Sequence, residues 1–266
     1  YWNYFLFCHK FFGMKNAMVA VAAAPVRKKA SHTAEMVNQL LYGEVVQILK
    51  SKDAIWVKVR SIHDAYEGWL QKLMLTEQMQ VDSTDQDIYA VADLFTSLKN
   101  EGQVVQIPAG SLIYSNAGSV KLKHVMKVKG KLINISKQNP SVALLRKLTS
   151  SWVNVPYLWG GRTPMGIDCS GLVQIIYRLM GIALPRDAWQ QAQAGRPIRN
   201  VSEIRAGDLA FFERNKKITH VGIILPGKKM IHASGKVKVD KVEGSNIIDA
   251  ITGEKILRIK KIVRLF

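Results

Sequence analysis

Three residues far apart in the chain could together perform nucleophilic catalysis: Cys169, His220 and His232. Cys169 follows a glycine-rich loop and opens an apolar run, in GGRTPMGIDCSGLVQIIYRLMG at 160–181. A thiol at a helix start faces unpaired backbone N–H groups and the positive end of the helix dipole. Both favour thiolate and can bring a cysteine pKa from about 8.5 into a range of roughly 3.5–7.5. The same N–H groups can hold a developing oxyanion. An inert buried thiol is the alternative reading of the position alone. A nucleophile also needs a base, and an imidazole within reach would form an ion pair with it. His220, in ITHVGIIL, and His232, in MIHASG, lie on strand-like stretches joined by PGKK; His9, His32, His63 and His124 fall in the tail or the β-rich part. His232 could orient His220 through its own ring nitrogen. A plain hairpin pairing Leu225 with Met230 would put the two rings on opposite faces, so contact demands a bulge or another register. Zinc is the other use of one Cys and two His. The spacings are long and no fourth ligand is evident, so no metal is expected.

The elements that must position these groups lie past residue 137. NPSVALLRKLTSS reads as a helix with Asn139 as N-cap and Pro140 first in the helix. Residues 169–180 form a helix apolar nearly all round, hence buried, with Asp168 capping its start and Gly181 its end. PRDAWQQAQAG is a second short helix closed by Gly195, and strands follow at DLAFF, ITHVGIIL, KMIHAS, NIIDAIT and KKIVRLF. Helices first and an antiparallel sheet after is an α+β plan. Upstream, AMVAVAAAPV, GEVVQILK, AIWVKVR and YEGWLQ read as short strands of a small β-barrel over 16–80. A second β-rich stretch at 81–136 contains GQVVQIPAGS, which echoes GEVVQILKSK; a divergent repeat of the barrel is one reading and a single continuous β-domain the other.

Hydrophobic content of 48% suffices for a packed core, and two cysteines, Cys8 and Cys169, make no disulfide framework. The net charge of +18 attracts anions such as acidic wall polymers, lipid or nucleic acid. No long Lys or Arg block appears and no arginines alternate with aromatics, so nucleic acid is not the expected partner. Residues 1–15 read unlike the rest and stay unassigned. Their apolar residues are interrupted by His9, Lys10, Lys15 and Asn16, so no membrane span is expected. MKNAMVAVAAAP from Met14 imitates a short export signal, but the preferred reading is a first β-strand. The expectation is therefore a cytoplasmic protein, with the periplasm or cell envelope as the alternative.

Together, GIDCSGLVQ, RAGDLAFF, ITHVGIIL and MIHASG resemble the NlpC-type papain-like cysteine peptidases of bacterial cell-wall metabolism, over 137–266. AEMVNQLLYGEVVQIL and AYEGWLQ resemble the bacterial SH3-like domain that precedes the peptidase in γ-D-glutamyl-L-diamino acid endopeptidases, also called dipeptidyl-peptidase VI. The resemblance implies a Cys-His-His triad: Cys169 as nucleophile, His220 as base and then acid, and His232 as the orienting residue. It implies that the Tyr157 hydroxyl serves the oxyanion site. It implies a substrate with a free amino-terminal L-Ala, whose ammonium pairs with Asp187 of PRDA. Asp168, Ser170 and Arg186 would line the same pocket, and Glu35 and Tyr66 of the SH3-like domain would close its end. Many relatives have serine where this chain has Ala188, so one hydrogen bond to the peptide is expected to be missing. The implied reaction is hydrolysis of the γ-D-Glu to diamino-acid bond in short wall peptides during murein recycling, without a cofactor. The competing expectation is an exported peptidoglycan-lytic endopeptidase whose SH3-like modules bind wall. Neither the preferred diamino acid nor the oligomeric state is legible.

Overall fold

The computed structural model describes residues 16–77, 86–100, 103–116 and 127–266. The tail with Cys8, and parts of the 81–136 stretch, lie outside the described residues. Seven strands form the first unit: β1 (Asn16–Val19), β2 (Ala23–Arg27), β3 (Met36–Leu41), β4 (Val45–Ser51), β5 (Trp56–Ser61), β6 (Glu67–Gln71) and β7 (Leu75–Glu77). They make one antiparallel sheet in the order β3-β2-β6-β5-β4-β1-β7. The alternation read in 55–60 is real: Val57 and Val59 enter the core with Val19, Leu40, Val46 and Leu70. Lys58 and Arg60 stay half-buried, each 2.6 Å from Glu67. The run AMVAVAAAPV, expected as one strand, is split between β1 and β2.

The second stretch holds β8 (Gln86–Val91), β9 (Phe95–Asn100), β10 (Gln103–Pro108), β11 (Leu112–Asn116), β12 (Lys127–Lys129) and β13 (Leu132–Asn134). These strands form two three-stranded sheets, β10-β9-β12 and β11-β8-β13, where the first unit has a single sheet of seven.

Helix α1 (Val142–Ser150) starts later than expected. Its N-cap is Ser141, whose Oγ accepts from the Leu144 N–H at 3.2 Å, and not Asn139. A serine hydroxyl at that spacing satisfies an amide that the first turn leaves open, so the helix begins there. After the short strands β14 (Arg162–Thr163) and β15 (Gly166–Ile167) comes α2 (Cys169–Leu179), capped by Asp168 as expected. Then follow α3 (Ala188–Gln191), β16 (Arg196–Ile198), β17 (Leu209–Arg214), β18 (Lys217–Leu225), β19 (Lys229–Ser234), β20 (Lys236–Glu243), β21 (Asn246–Ile248), β22 (Lys255–Arg258) and β23 (Lys261–Arg264). The last eight strands form one sheet in the order β16-β23-β17-β18-β19-β20-β21-β22. The order of helices before sheet holds here. The described chain as a whole is mostly antiparallel sheet, so the α+β label holds only in part.

Every residue of α2 is buried. Its apolar side chains share one core with Val221, Ile223 and Ile231 of the large sheet, with Leu41 of the first unit, and with Ala109, Leu112 and Ile133 of the second. Each fully buried Leu or Ile in it contributes about 1.5–3 kcal/mol relative to exposure. The helix that presents Cys169 is thereby held by all three parts of the chain. Among the described residues no helix is long and apolar enough to cross a membrane.

Candidate active site

Cys169 is the first residue of α2 and is 7% exposed. The turn before it is held by the Asp168 carboxylate. Oδ1 accepts from the Gly171 N–H at 2.7 Å, and Oδ2 accepts from the Gly160 N–H at 2.9 Å. Gly160 has φ +75°, and a Cβ there would come within 2.7 Å of the Met36 carbonyl oxygen on β3. Only glycine lets the loop approach the first unit so closely. Arg186 completes the clamp. Its guanidinium donates to both Asp168 oxygens at 3.0 and 2.6 Å, to Ser170 Oγ at 2.8 Å and to Asn38 Oδ1 at 2.7 Å. Asp168, Ser170 and Arg186 are all buried. Their polar atoms are spent on one another, on the cysteine loop and on β3, so these three brace the loop.

The histidines meet because the hairpin register differs from the simplest one. Ile223 pairs with Ile231, Ile224 with Met230 and Leu225 with Lys229. Gly227 and Lys228 turn the chain with φ of +78° and +53°. Continued one step, this register sets His232 opposite Gly222, on the face that His220 also uses. Nε2 of His220 lies 2.8 Å from Nδ1 of His232. A Cβ on Gly222 would fall 2.7 Å from the Met230 sulfur and 3.1 Å from the His232 Cβ, so the small residue leaves room for the ring.

The strand that carries His220 also meets the sulfur at the start of α2. The Cys169 Sγ accepts from the backbone N–H of Val221, the residue after His220, and from that of Ser170. Burial, followed by the neighbouring Asp168 carboxylate, pushes the Cys169 thiol up to about 12. Burial, followed by His232, pushes His220 down to about 3. Both shifts favour a neutral thiol and a neutral imidazole in the substrate-free site. The charged couple expected from the helix end is opposed by this exclusion of water, which favours the neutral forms. Burial, then the nearby Cys169 and Asp168, also raise the Tyr157 hydroxyl to about 12, so it remains a donor beside the sulfur.

The remaining predicted residues lie on the first unit and at the start of α3. Asp187 is the N-cap of α3, where Gln190 Oε1 accepts from its backbone N–H at 3.2 Å. Burial raises its carboxyl. Tyr66 is pushed up to about 12 by burial and then by the Asp187 charge, so the two groups are within electrostatic reach of each other. Glu35 is exposed and accepts from Trp159 Nε1 at 3.0 Å, bridging the first unit to the loop before the cysteine.

Two groups escaped the sequence reading. Oδ2 of Asp240, on β20, lies 2.8 Å from Nε2 of His232. The alternating valines of KVKVDKVE were the available signal for that strand. Glu44 of the first unit is buried between Arg162, at 2.9 Å, and Arg178, at 2.5 Å. Those two cations hold its carboxyl well below the usual range against the effect of burial. Neighbours this distant in sequence leave no local pattern.

A thiol at the start of a buried helix, packed against a sheet that supplies two bonded imidazoles, defines a papain-like cysteine peptidase, here joined to an SH3-like domain. Residues 154–255 match the NlpC/P60 family, and residues 26–73 match the bacterial dipeptidyl-peptidase Sh3 domain. It is 28% identical over 213 residues to the gamma-D-glutamyl-L-lysine dipeptidyl-peptidase of Bacillus subtilis (strain 168), covering 74% of this chain and 71% of that one. It is 26% identical to the dipeptidyl-peptidase 6 of Lysinibacillus sphaericus, covering 82% of this chain and 88% of that one. An NlpC/P60 family protein from Bacillus cereus ATCC 10987 shares the fold, with a TM-score of 0.79 at 20% identity over 94% of this chain and 99% of that one.

Proposed function

We propose that this peptidase hydrolyses the amide bond between γ-D-Glu and a diamino acid in short wall peptides that begin with a free L-Ala. The observation that carries the reading is that the Tyr66 hydroxyl of the first unit lies within the electrostatic reach of Asp187 and of the Arg186–Asp168 clamp on the cysteine loop. A carboxylate in a closed, partly dry pocket favours an ammonium, because leaving either charge unpaired there is costly. A pocket walled by a second domain admits a chain end and rejects the middle of a polymer. The name of the Bacillus subtilis relative, a gamma-D-glutamyl-L-lysine dipeptidyl-peptidase, supports the same bond, and the second relative is likewise named a dipeptidyl-peptidase. On this reading 16–80 is an SH3-like barrel, 81–136 a divergent second one, and 137–266 an α+β catalytic unit.

In the proposed mechanism, the Cys169 sulfur attacks the γ-carbonyl carbon as its proton passes to His220. The carbonyl oxygen takes the electron pair and is held by backbone N–H groups at the helix start and by the Tyr157 hydroxyl. The C–N bond breaks, His220 returns the proton to the departing amine, and a thioester remains. Water then adds while His220 takes its proton, the C–S bond breaks, and the proton goes back to sulfur. L-Ala-γ-D-Glu is released.

The test is turnover of L-Ala-γ-D-Glu-L-Lys and of its meso-diaminopimelate counterpart, with Cys169→Ala as control. The two products should appear with the native enzyme alone, and acylating the L-Ala amine should abolish them. Unchanged turnover of the acylated peptide would overturn the free-amine pocket.

A further inference from the structure

The row of hydrogen bonds does not end at the second imidazole. Asp240 is 2% exposed, and its Oδ2 lies 2.8 Å from His232 Nε2. Its Oδ1 accepts from the Ala250 N–H at 3.0 Å. Lys238 Nζ lies 3.1 Å from Oδ2 and also 2.6 Å from Asp249 Oδ2. The Ala250 N–H and the Lys238 ammonium can only donate to the carboxylate. Burial works to raise its pKa, but the hydrogen bonds from His232, Ala250 and Lys238 win and hold it below the usual range.

An ionised carboxylate only accepts, and a neutral imidazole has one donor and one acceptor nitrogen. His232 Nε2 must then carry the proton it gives to Asp240. That leaves His232 Nδ1 with a lone pair. His220 Nε2 faces this lone pair at 2.8 Å and must carry a proton of its own. The unprotonated nitrogen of His220 is therefore Nδ1, the one turned away from His232. We propose that Asp240 is a positioning residue for catalysis, which sets the direction of the His232–His220 row so that Nδ1 of His220 is the base. When a proton reaches Nδ1, the positive charge is shared along the row toward a fixed negative charge. This inference rests on the cysteine-peptidase reading for its consequence, though not for its geometry.

The test is histidine-selective 15N NMR of the resting enzyme at pH 7, assigned with His220→Gln and His232→Gln. Both rings should show a protonated Nε2 and an unprotonated Nδ1. A proton on Nδ1 of His232 would overturn the proposal. Asp240→Asn keeps shape and volume, and made together with Lys238→Met, which removes the second donor facing the Oδ2 place, it lets the Ala250 N–H hold the amide oxygen at the Oδ1 place and turn the NH2 group toward His232. The row should reverse in the spectrum, and kcat should fall on the order of 10²–10⁴-fold with little change in KM, as a wrong tautomer costs in other triads. Alkylation of Cys169, which needs no peptide, should slow as well. Native kcat and alkylation rate in this double variant would also overturn the proposal. If that variant does not fold, the native spectrum decides alone. If the wall peptides are not cleaved, the spectrum and the alkylation rate still decide, so failure of the substrate reading is separable from failure of this one.

Discussion

His232 Nδ1 reaches His220 Nε2 at 2.8 Å across a hairpin in which Gly222 stands between them in register. The contact is diagonal on the sheet: His232 faces Gly222, and His220 is two residues further along the same face. A side chain at 222 would occupy the space into which His232 leans. The position therefore controls the geometry of the pair without touching substrate.

Gly222→Ala should fold and lose activity. The new methyl would lie 2.7 Å from the flexible Met230 sulfur and 3.1 Å from the His232 Cβ. Overpacking of this kind costs about 1–3 kcal/mol, and the ring must shift. Urea unfolding should report a loss in that range, while kcat falls by well over the tenfold that a modest drop in folded fraction could explain. Full kcat in a destabilised protein would show that the pair does not depend on this spacing.

The helix that carries Cys169 was legible because its signals are local: an Asp cap, an unbroken apolar run and a glycine stop lie within about four turns of chain. The histidine pair was legible as residues but not as a contact. A one-residue change of register flips every side chain, and the three-residue turn that fixes the register depends on φ > 0 at Gly227 and Lys228. Asp240 was missed because its strand alternates valines with charges on both faces, which looks like a solvated surface. The burial that opposes charge on Cys169 was not legible for a different reason. The helix-end field can be read from position, but the loss of water follows from packing by segments far away in sequence. The buried ion pairs of Asp168 with Arg186 and of Glu44 with Arg162 share that origin.

Alkylation of Cys169 by iodoacetamide should be slow at pH 6 and rise steadily with pH. Burial raises the thiol to about 12 and lowers His220 to about 3, so protonated sulfur is the resting form across the neutral range. Only thiolate reacts, and its fraction grows about tenfold per pH unit below the pKa. The rate measured from pH 5 to 9 should keep climbing. A plateau below pH 7 would reveal a preformed ion pair.

Tyr157→Phe should retain folding and KM while kcat drops by about 10²–10³, the usual cost of one donor to a developing oxyanion. The hydroxyl is a candidate because its own pKa responds to Cys169 and Asp168 after burial. A change confined to KM would assign Tyr157 to substrate binding instead.

Arg186→Met should leave the buried Asp168 carboxylate without its ion pair at 2.6 Å. Breaking one side of a buried pair costs about 3–5 kcal/mol. The same carboxylate holds Gly160 and Gly171, so the cysteine loop should loosen. Hydrogen exchange at the amides of 160–171 should accelerate more than in the large sheet. Uniform acceleration would mean global destabilisation without a local hold on the loop.

His63→Gln should make the folded protein less sensitive to mild acid. Burial, then the Arg178 charge, depress the His63 pKa to about 4, while Glu44 and Asp64 pull it the other way. In the unfolded chain the ring titrates near 6.5. A depressed histidine means that the unfolded state binds more protons as pH falls. Its stabilising contribution is complete above about pH 6.5 and is lost progressively as pH drops toward the folded value near 4. At pH 5 the loss amounts to about 1–2 kcal/mol from this one group. Urea unfolding of the native protein at pH 7 and pH 5 should show that difference superimposed on the effect of the other buried histidines. In His63→Gln the gap between the two pH values should shrink by the same amount. An unchanged gap would mean that the ring accepts a proton inside the folded interface as readily as it does in water.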